Sequence, residues 1–466
     1  MLYELLKPVV GVALHWYYRS ILIEGIERVP TVGPVVLAVN HPNALVDALV
    51  VGYAVPRRVR FTAKATIFAH PLAAKFLHTV GVVPLRRASD ERAAGTPTTT
   101  DAAASTEPNA ERNAERNAAS FEAVAHALAE QGAIVIFPEG KSHDLPQLAP
   151  LRTGLARMTM QAYQLHGVRG VRIVPIGLLF ERKEAPRSRV LIQVGEPIQV
   201  DPLLEAGVSV ATLTELVAAR LAAVTLNFDS PDDAERLQRV GGTLSALLEP
   251  TSSVAEGTPA LGRVLDLLRR LDRVHSELRA RDDAALQARL DAFEARVRAF
   301  RARLDERGID PHDVAISAQA SAGMRFALRE ALLAMIAAPI GLWGRLTHFV
   351  PIQLARRLAL RNVHALDEPA MRTLVVGALL VLAAYIMQTA LVASVASGWW
   401  ALAFFLTLVP SASGDLQYGD RTRRARDRAR AYFAFRRDPG LQAKLLAEAD
   451  AIRQDAFALE RLAAER

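Results

Sequence analysis

The sequence predicts an α/β domain with a mixed sheet flanked by helices, then a charged helical hairpin region and a C-terminal transmembrane helical hairpin. Three observations carry this. Short runs rich in β-branched residues alternate with helical segments between residues 30 and 228. Leu286, Leu290, Phe293, Val297, Phe300 and Leu304 recur at alternating spacings of four and three, a helical seam. From Thr373 to Gly414 no charged residue occurs in 42 positions.

The chain has 466 residues, about three times a typical domain of ~150, so more than one unit is expected. Hydrophobic residues make up 51% and charged residues 23%, which excludes a wholly disordered or collagen-like chain. Without cysteine, disulfide scaffolds, thiolate metal sites and a Cys nucleophile are excluded. A net charge of +7 suits an anionic partner, and a membrane surface fits better than nucleic acid, for which there is no aromatic-interleaved basic patch.

Residues 1–29 begin with a membrane-associated helix over 1–23, mixing Leu2, Leu5, Leu6, Val9 and Trp16 with Glu4, Lys7 and Arg19. It lacks the uninterrupted apolar stretch of a signal peptide, and it either lies on a bilayer or covers a sheet. The α/β domain, 30–228, has strands at Val35–Val39, Val59–Thr62, Gly81–Leu85, Ala133–Phe137, Val171–Phe180 and Val190–Val194. Its helices start near Ala44, Pro71, Phe121, Thr153 and Leu213. Residues 88–119, with the tandem ERNAERNA and no apolar periodicity, read as a flexible, solvated insert, with a short charged helix open to the ERNA repeats.

Residues 229–320 form the charged hairpin, which either caps the domain or serves as a homo-oligomer seam through 259–306. Residues 321–414 hold the apolar region. A break near Ser397-Gly398 divides the charge-free stretch into two helices, with Trp399 and Trp400 as interfacial anchors. The earlier run Ala331–Gly344 is too short to span and reads as re-entrant or interfacial. Arginines flank both ends of the hairpin, which directs those ends, and the α/β domain, to the cytoplasm. Residues 415–466 are a basic helical tail suited to anionic headgroups.

The chemistry lies at the predicted strand ends. His41 follows the strand ending at Val39, and Asp47 comes about a turn and a half later. An Asp on one imidazole nitrogen would hold the tautomer and stabilise the imidazolium, leaving the other nitrogen as a base near neutral pH. No G-x-S-x-G elbow is present, so the pair suits activation of an external hydroxyl. Phe137-Pro138-Glu139-Gly140-Lys141-Ser142-His143-Asp144 follows another strand. There Glu139 could bind a hydroxyl or cation, and Lys141, Ser142 and amides beside Gly140 could cradle a phosphate. Gly81 to Arg87 delivers Arg86 and Arg87, guanidinium forks matched to phosphate oxygens, and Lys64 adds a further cation.

In order, the His41–Asp47 block, Lys64, GVVPLRR, FPEGKSHD and Val174-Pro175-Ile176 resemble the motif series of the phospholipid/glycerol acyltransferase family, the glycerol-3-phosphate and lysophosphatidate acyltransferases. The resemblance covers roughly residues 30–200. It implies transfer of an acyl chain from acyl-CoA or acyl-carrier protein to a glycerol-phosphate hydroxyl at a membrane. It further implies His41 as general base, Asp47 as its orienting partner, and Arg87, Glu139 and Gly140 at the acceptor phosphate. No metal or cofactor is expected, since a thioester is already activated.

The resemblance departs at one place. The family pattern has four residues between His and Asp, and here there are five, Pro42 to Val46. One extra residue turns a helix by about 100°, so either the loop absorbs it or Asp47 misses His41. A glycerol-3-phosphate or dihydroxyacetone-phosphate branch resembles this chain in the longer spacing and in Ser-His-Asp after Glu-Gly. Two other readings stand beside transfer: an esterase or thioesterase using the same pair on water, and a non-catalytic membrane scaffold.

Overall fold

The computed structural model describes residues 2–85, 107–228, 230–248, 261–279, 281, 283–359, 361 and 368–464. The chain divides into two compact units, Met1–Asn227 with Asn362–Leu374, and Phe228–Arg361 with Val375–Arg466.

The first unit is built on one mixed sheet. Its strands are β1 (Ser20–Glu24), β2 (Val35–Val39), β3 (Val59–Lys64), β4 (Val83–Leu85), β5 (Ala133–Ile136), β6 (Arg172–Phe180), β7 (Arg189–Val194) and β8 (Ile198–Gln199). They lie in the order β1-β7-β6-β2-β5-β3-β4, with β8 on β6. β2 is parallel to both β5 and β6, β3 is parallel to β5 and β4, and β6 is antiparallel to β7 and β8.

All five residues of β2 are buried. Val35, Leu37 and Val39 enter one core with α1 (Leu2–Tyr17) and α2 (Ala44–Ala54). Val36 and Ala38 enter a second core on the other face, with α4 (Glu107–Ala129), α5 (Gly154–Gln164) and α7 (Val210–Ala222). The two-residue period of a strand thus feeds two layers, and each fully buried Val or Leu contributes about 1.5–3 kcal/mol. Two further helices, α3 (Pro71–Val80) and α6 (Val200–Glu205), complete the unit.

Several elements differ from the sequence reading, β8 and α6 among them, which it did not contain. The N-terminal helix stops at Tyr17, and residues 20–24 form β1, paired in parallel with β7. An edge strand is covered on one side only, so its burial pattern is uniform and partial, and no alternation marks it in the sequence. The helix expected from Phe121 begins at Glu107, so the ERNAERNA repeat, read as solvated with room for a short charged helix, is helical, and residues 88–106 of the expected insert lie outside the described residues. α1 also settles into the core through Tyr3, Leu14 and Tyr17 while exposing Leu5 and Val9.

The second unit is helical: α8 (Pro231–Leu248), α9 (Leu261–Arg279), α10 (Ala284–Glu306), α11 (Ala320–Ala359), α12 (Glu368–Val395) from Val375 onward, α13 (Gly398–Arg437) and α14 (Pro439–Ala464). Leu290, Phe293, Val297, Phe300 and Leu304 are buried against Val240 and Leu244 of α8 and Leu445, Ala449 and Ile452 of α14. The seam is therefore filled within the chain.

The apolar region departs from the expected hairpin. The break falls at Ser397, the extended residue that precedes α13. Residues 331–344, expected to be re-entrant, are instead part of α11, a continuous helix of 40 residues with Pro339 and Pro351 inside it. Among the described residues, two helices are long and apolar enough to cross a membrane, Ala320–Ala359 and Pro369–Val395. The second arm of the expected hairpin does not reach that standard, because Asp415 ends its apolar run. α11 was hidden in the sequence by Arg345, which pairs with Asp415 at 3.1 Å. Small residues let α11 and α13 approach closely: a Cβ at Gly344 would stand 2.0 Å from the Ser411 carbonyl oxygen. Only 6% of the apolar window of α11 and 11% of that of α12 is buried, so their large apolar side chains face outward.

Candidate active site

The parallel strands β2, β5, β6 and β3 end on one edge of the sheet, the edge where ligands bind in α/β folds. His41 leaves β2 there. Its Nδ1 lies 2.8 Å from Asp47 Oδ2, so the two residues that the sequence paired do meet. The additional residue is absorbed before the helix. Ala44, the first residue of α2, has φ +46°, a left-handed conformation that costs a non-glycine residue about 1 kcal/mol. This lets α2 start after Asn43 and presents Asp47 from its first turn.

Asp47 is fully buried. Burial pushes its carboxyl above the usual carboxylate range, opposed by the hydrogen bond to His41 and by the Asn43 N–H, which donates to Oδ2 at 2.8 Å. The imidazole of His41 stacks on Phe137, centroids 4.1 Å apart and planes at 16°. With Nδ1 turned to Asp47 and the side chain 18% exposed, Nε2 is the nitrogen left for a substrate.

Glu139 follows β5, the strand beside β2. Its carboxylate is buried and turned inward: Oε1 accepts the His41 N–H at 2.7 Å, and Oε2 accepts the Ala149 N–H at 2.7 Å and the Nε2–H of His143. His143 Nδ1 in turn accepts from the Leu145 N–H at 3.2 Å, which fixes its tautomer with the proton on Nε2. Gly140, at φ +84°, makes the turn that follows and donates its N–H to the Phe137 carbonyl at 3.1 Å.

The expected site residues are thus only partly assembled. His41, Asp47, Glu139 and Gly140 converge. Lys64, at the end of β3, and Lys141 are exposed and make no hydrogen bond or ion pair with this cluster among the described residues. Ser142 is half-buried in the loop after Gly140. Arg87 and its neighbour Arg86 lie outside the described residues.

Several participants carried no sequence signal strong enough to single them out. Asn40 clamps the end of β2 to β6, donating to the Leu178 carbonyl at 3.1 Å and accepting its N–H at 2.7 Å. Asn43 donates to the Tyr18 hydroxyl at 3.3 Å. Phe137, His143 and Asp144 belong to a recognisable motif, but Phe137 meets His41 and Asp144 meets Lys183, partners distant in sequence, while the His143 side chain bonds within its own loop, to Glu139 and the Leu145 N–H. Lys183, three residues past β6, has no motif around it.

Residues 20–179 match the family model described as Acyltransferase, about a third of the chain. The match runs from β1 to within one residue of the end of β6 and so encloses His41, Asp47 and Glu139. Glycerol-3-phosphate O-acyltransferase 2 of Saccharomyces cerevisiae is 40% identical over 82 residues, 18% of this chain and 11% of that protein. Glycerol-3-phosphate O-acyltransferase 1 of the same yeast is 38% identical over 80 residues, 17% of this chain and 10% of that protein. The chain therefore aligns with about a tenth of the length of these curated relatives. A crystal structure of a 1-acyl-sn-glycerophosphate acyltransferase from Thermotoga maritima aligns at 15% identity over 48% of this chain and 78% of that one, with a TM-score of 0.34.

Proposed function

We propose that this protein is a membrane-bound acyltransferase that moves a fatty acyl chain from an acyl-CoA or acyl-carrier-protein thioester to a hydroxyl of a glycerol-phosphate acceptor. The observation that carries the reading is the 2.8 Å contact between His41 Nδ1 and the buried Asp47 carboxylate at the ligand-binding edge of an acyltransferase-family sheet. Asp47 keeps the proton on Nδ1, so Nε2 is the base. It takes the proton of the acceptor hydroxyl as that oxygen attacks the thioester carbonyl carbon. The tetrahedral intermediate then collapses with loss of thiolate, which recovers the proton from the imidazolium. The step asks for no metal or cofactor, because the carbon–sulfur bond is already activated.

Glu139 acts as a positioning group in this scheme, since its oxygens are taken by protein donors. Arg87, which follows β4 in the sequence, is assigned to the acceptor phosphate, and Lys64, Lys141, Ser142 and Gly140 are assigned to the same acceptor. The names of the yeast relatives and the long His–Asp spacing favour glycerol-3-phosphate over its acylated form. The outward-facing apolar surfaces of α11 and α12 support anchoring in lipid, and the flanking arginines favour a cytoplasmic catalytic unit.

The test is acyl transfer by the full chain in detergent, with one acyl-CoA and, separately, glycerol-3-phosphate, dihydroxyacetone phosphate and 1-acyl-glycerol-3-phosphate. Product from glycerol-3-phosphate, reduced about 10³-fold in His41→Ala, is expected, with Arg87→Gln raising mainly the acceptor KM. Release of free fatty acid without acylated product would identify a hydrolase instead.

A further inference from the structure

Lys183 stands three residues past β6, the strand beside the one that delivers His41, and its side chain is only 16% exposed. An ammonium has three donors and no acceptor. All three are committed: Nζ donates to the Pro42 carbonyl at 3.1 Å, to the His143 carbonyl at 3.5 Å and to the Asp144 carboxylate. The Lys183 backbone carbonyl also accepts from Asn43 Nδ2 at 3.3 Å. Pro42 and Asn43 follow His41 directly, and the Asn43 N–H is one of the two donors on Asp47 Oδ2. His143 is the side chain whose Nε2–H meets Glu139, which holds the His41 N–H.

We propose that Lys183 is a positioning residue that ties the His41 loop to the loop after Glu139, and so sets the orientation of the general base. This rests on the acyl-transfer reading for its consequence, though not for its geometry. A cation with all donors satisfied by protein acceptors has none to offer a substrate phosphate, which separates Lys183 from the acceptor-binding cations. A neutral side chain would leave the Pro42 and His143 carbonyls without this donor and release the exposed Asp144 carboxylate to water, so the two loops lose their link, while the planar fork of an arginine cannot converge on three acceptors in different directions.

Lys183→Met in the full chain, in detergent, tests the proposal in two ways. Hydrogen exchange of the amides in residues 40–47 and 138–150, which include the bonded N–H groups of His41, Asn43 and Ala149, should accelerate about 10-fold, with the strands β6 and β7 unchanged. In acyl transfer, kcat should fall about 10- to 100-fold with the acceptor KM held within about 2-fold. Lys183→Arg should recover part of the loss. Unchanged exchange in both segments overturns the proposal, as does a raised acceptor KM with normal kcat, which would make Lys183 a phosphate ligand. Should Lys183→Met not fold, Asp144→Asn removes a single contact and should show the same pattern at smaller amplitude. Accelerated exchange in a protein whose wild type acylates no acceptor would uphold the tie and reject the acyl-transfer reading.

Discussion

His41 Nδ1 and Asp47 Oδ2 lie 2.8 Å apart although six positions separate them, and the contact depends on Ala44 holding a left-handed φ of +46°. A helix that began at Pro42 would carry Asp47 about 100° away for the extra residue. Starting α2 two residues later places the backbone irregularity in the loop and keeps the carboxylate on the imidazole. The cost is small beside a buried charge-assisted hydrogen bond.

Asp47→Asn should separate activity from stability. Burial holds the Asp47 carboxyl above its usual range, so the folded protein binds that proton more tightly than the unfolded chain does, and ionised Asp47 opposes folding at neutral pH. Removing the charge with an isosteric amide should leave the unfolding midpoint at pH 8 equal to wild type or higher. Turnover should fall about 10³-fold, because the amide no longer stabilises the imidazolium. A variant that lost both together would make Asp47 a structural residue.

Glu139→Gln puts an NH₂ where the carboxylate accepts three protein donors. One donor then faces another in a buried site, at a cost of about 1–3 kcal/mol. The expected result is a lower unfolding midpoint and reduced kcat with little change in acceptor KM. An acceptor KM raised tenfold at normal stability would return Glu139 to the substrate.

Asp313, in the second unit, has its carboxyl pushed up to about 6 by burial and, secondarily, by Asp310. Below about pH 4 both folded and unfolded states carry the proton. Between about 4 and 6 only the folded state does, so this residue's contribution to stability falls as pH rises through that window and stays low above it. Asp313→Asn should flatten this slope and raise the midpoint at pH 7–8 by a few degrees, roughly 2 kcal/mol. Thermal unfolding of the wild type and the variant from pH 4 to 8 measures this directly.

Ile386 lies on α12 and is 64% exposed. If the helix crosses a membrane, Ile386→Asp costs about 3 kcal/mol at its centre. The variant should then be depleted from carbonate-washed membranes relative to wild type. Equal recovery in the membrane pellet would place that face in water.

The strands around the site were legible because β2, β5 and β6 lie in the sheet interior and read as continuous β-branched runs, with His41 and Glu139 directly beyond them. β1 was not, because an edge strand needs little apolar patterning. α11 was not, because Arg345 interrupts a hydropathy reading but is paired with Asp415 in the fold. The inward turn of Glu139 was equally hidden: a carboxylate after a strand looks the same whether it faces ligand or protein.

Local pattern was enough to establish the α/β class, the interior strands, the apolar run of α12 and the His41, Asp47 and Glu139 positions, since these depend on period-two burial, turn chemistry and residue type within a few positions. It could not establish that an extra loop residue still lets His41 reach Asp47, that Glu139 supports His41, or that Lys183 joins two loops from 40 and 141 positions away. Those are contacts between segments that meet only when parallel strands align their ends, and a chain read one position at a time contains no distance between such segments.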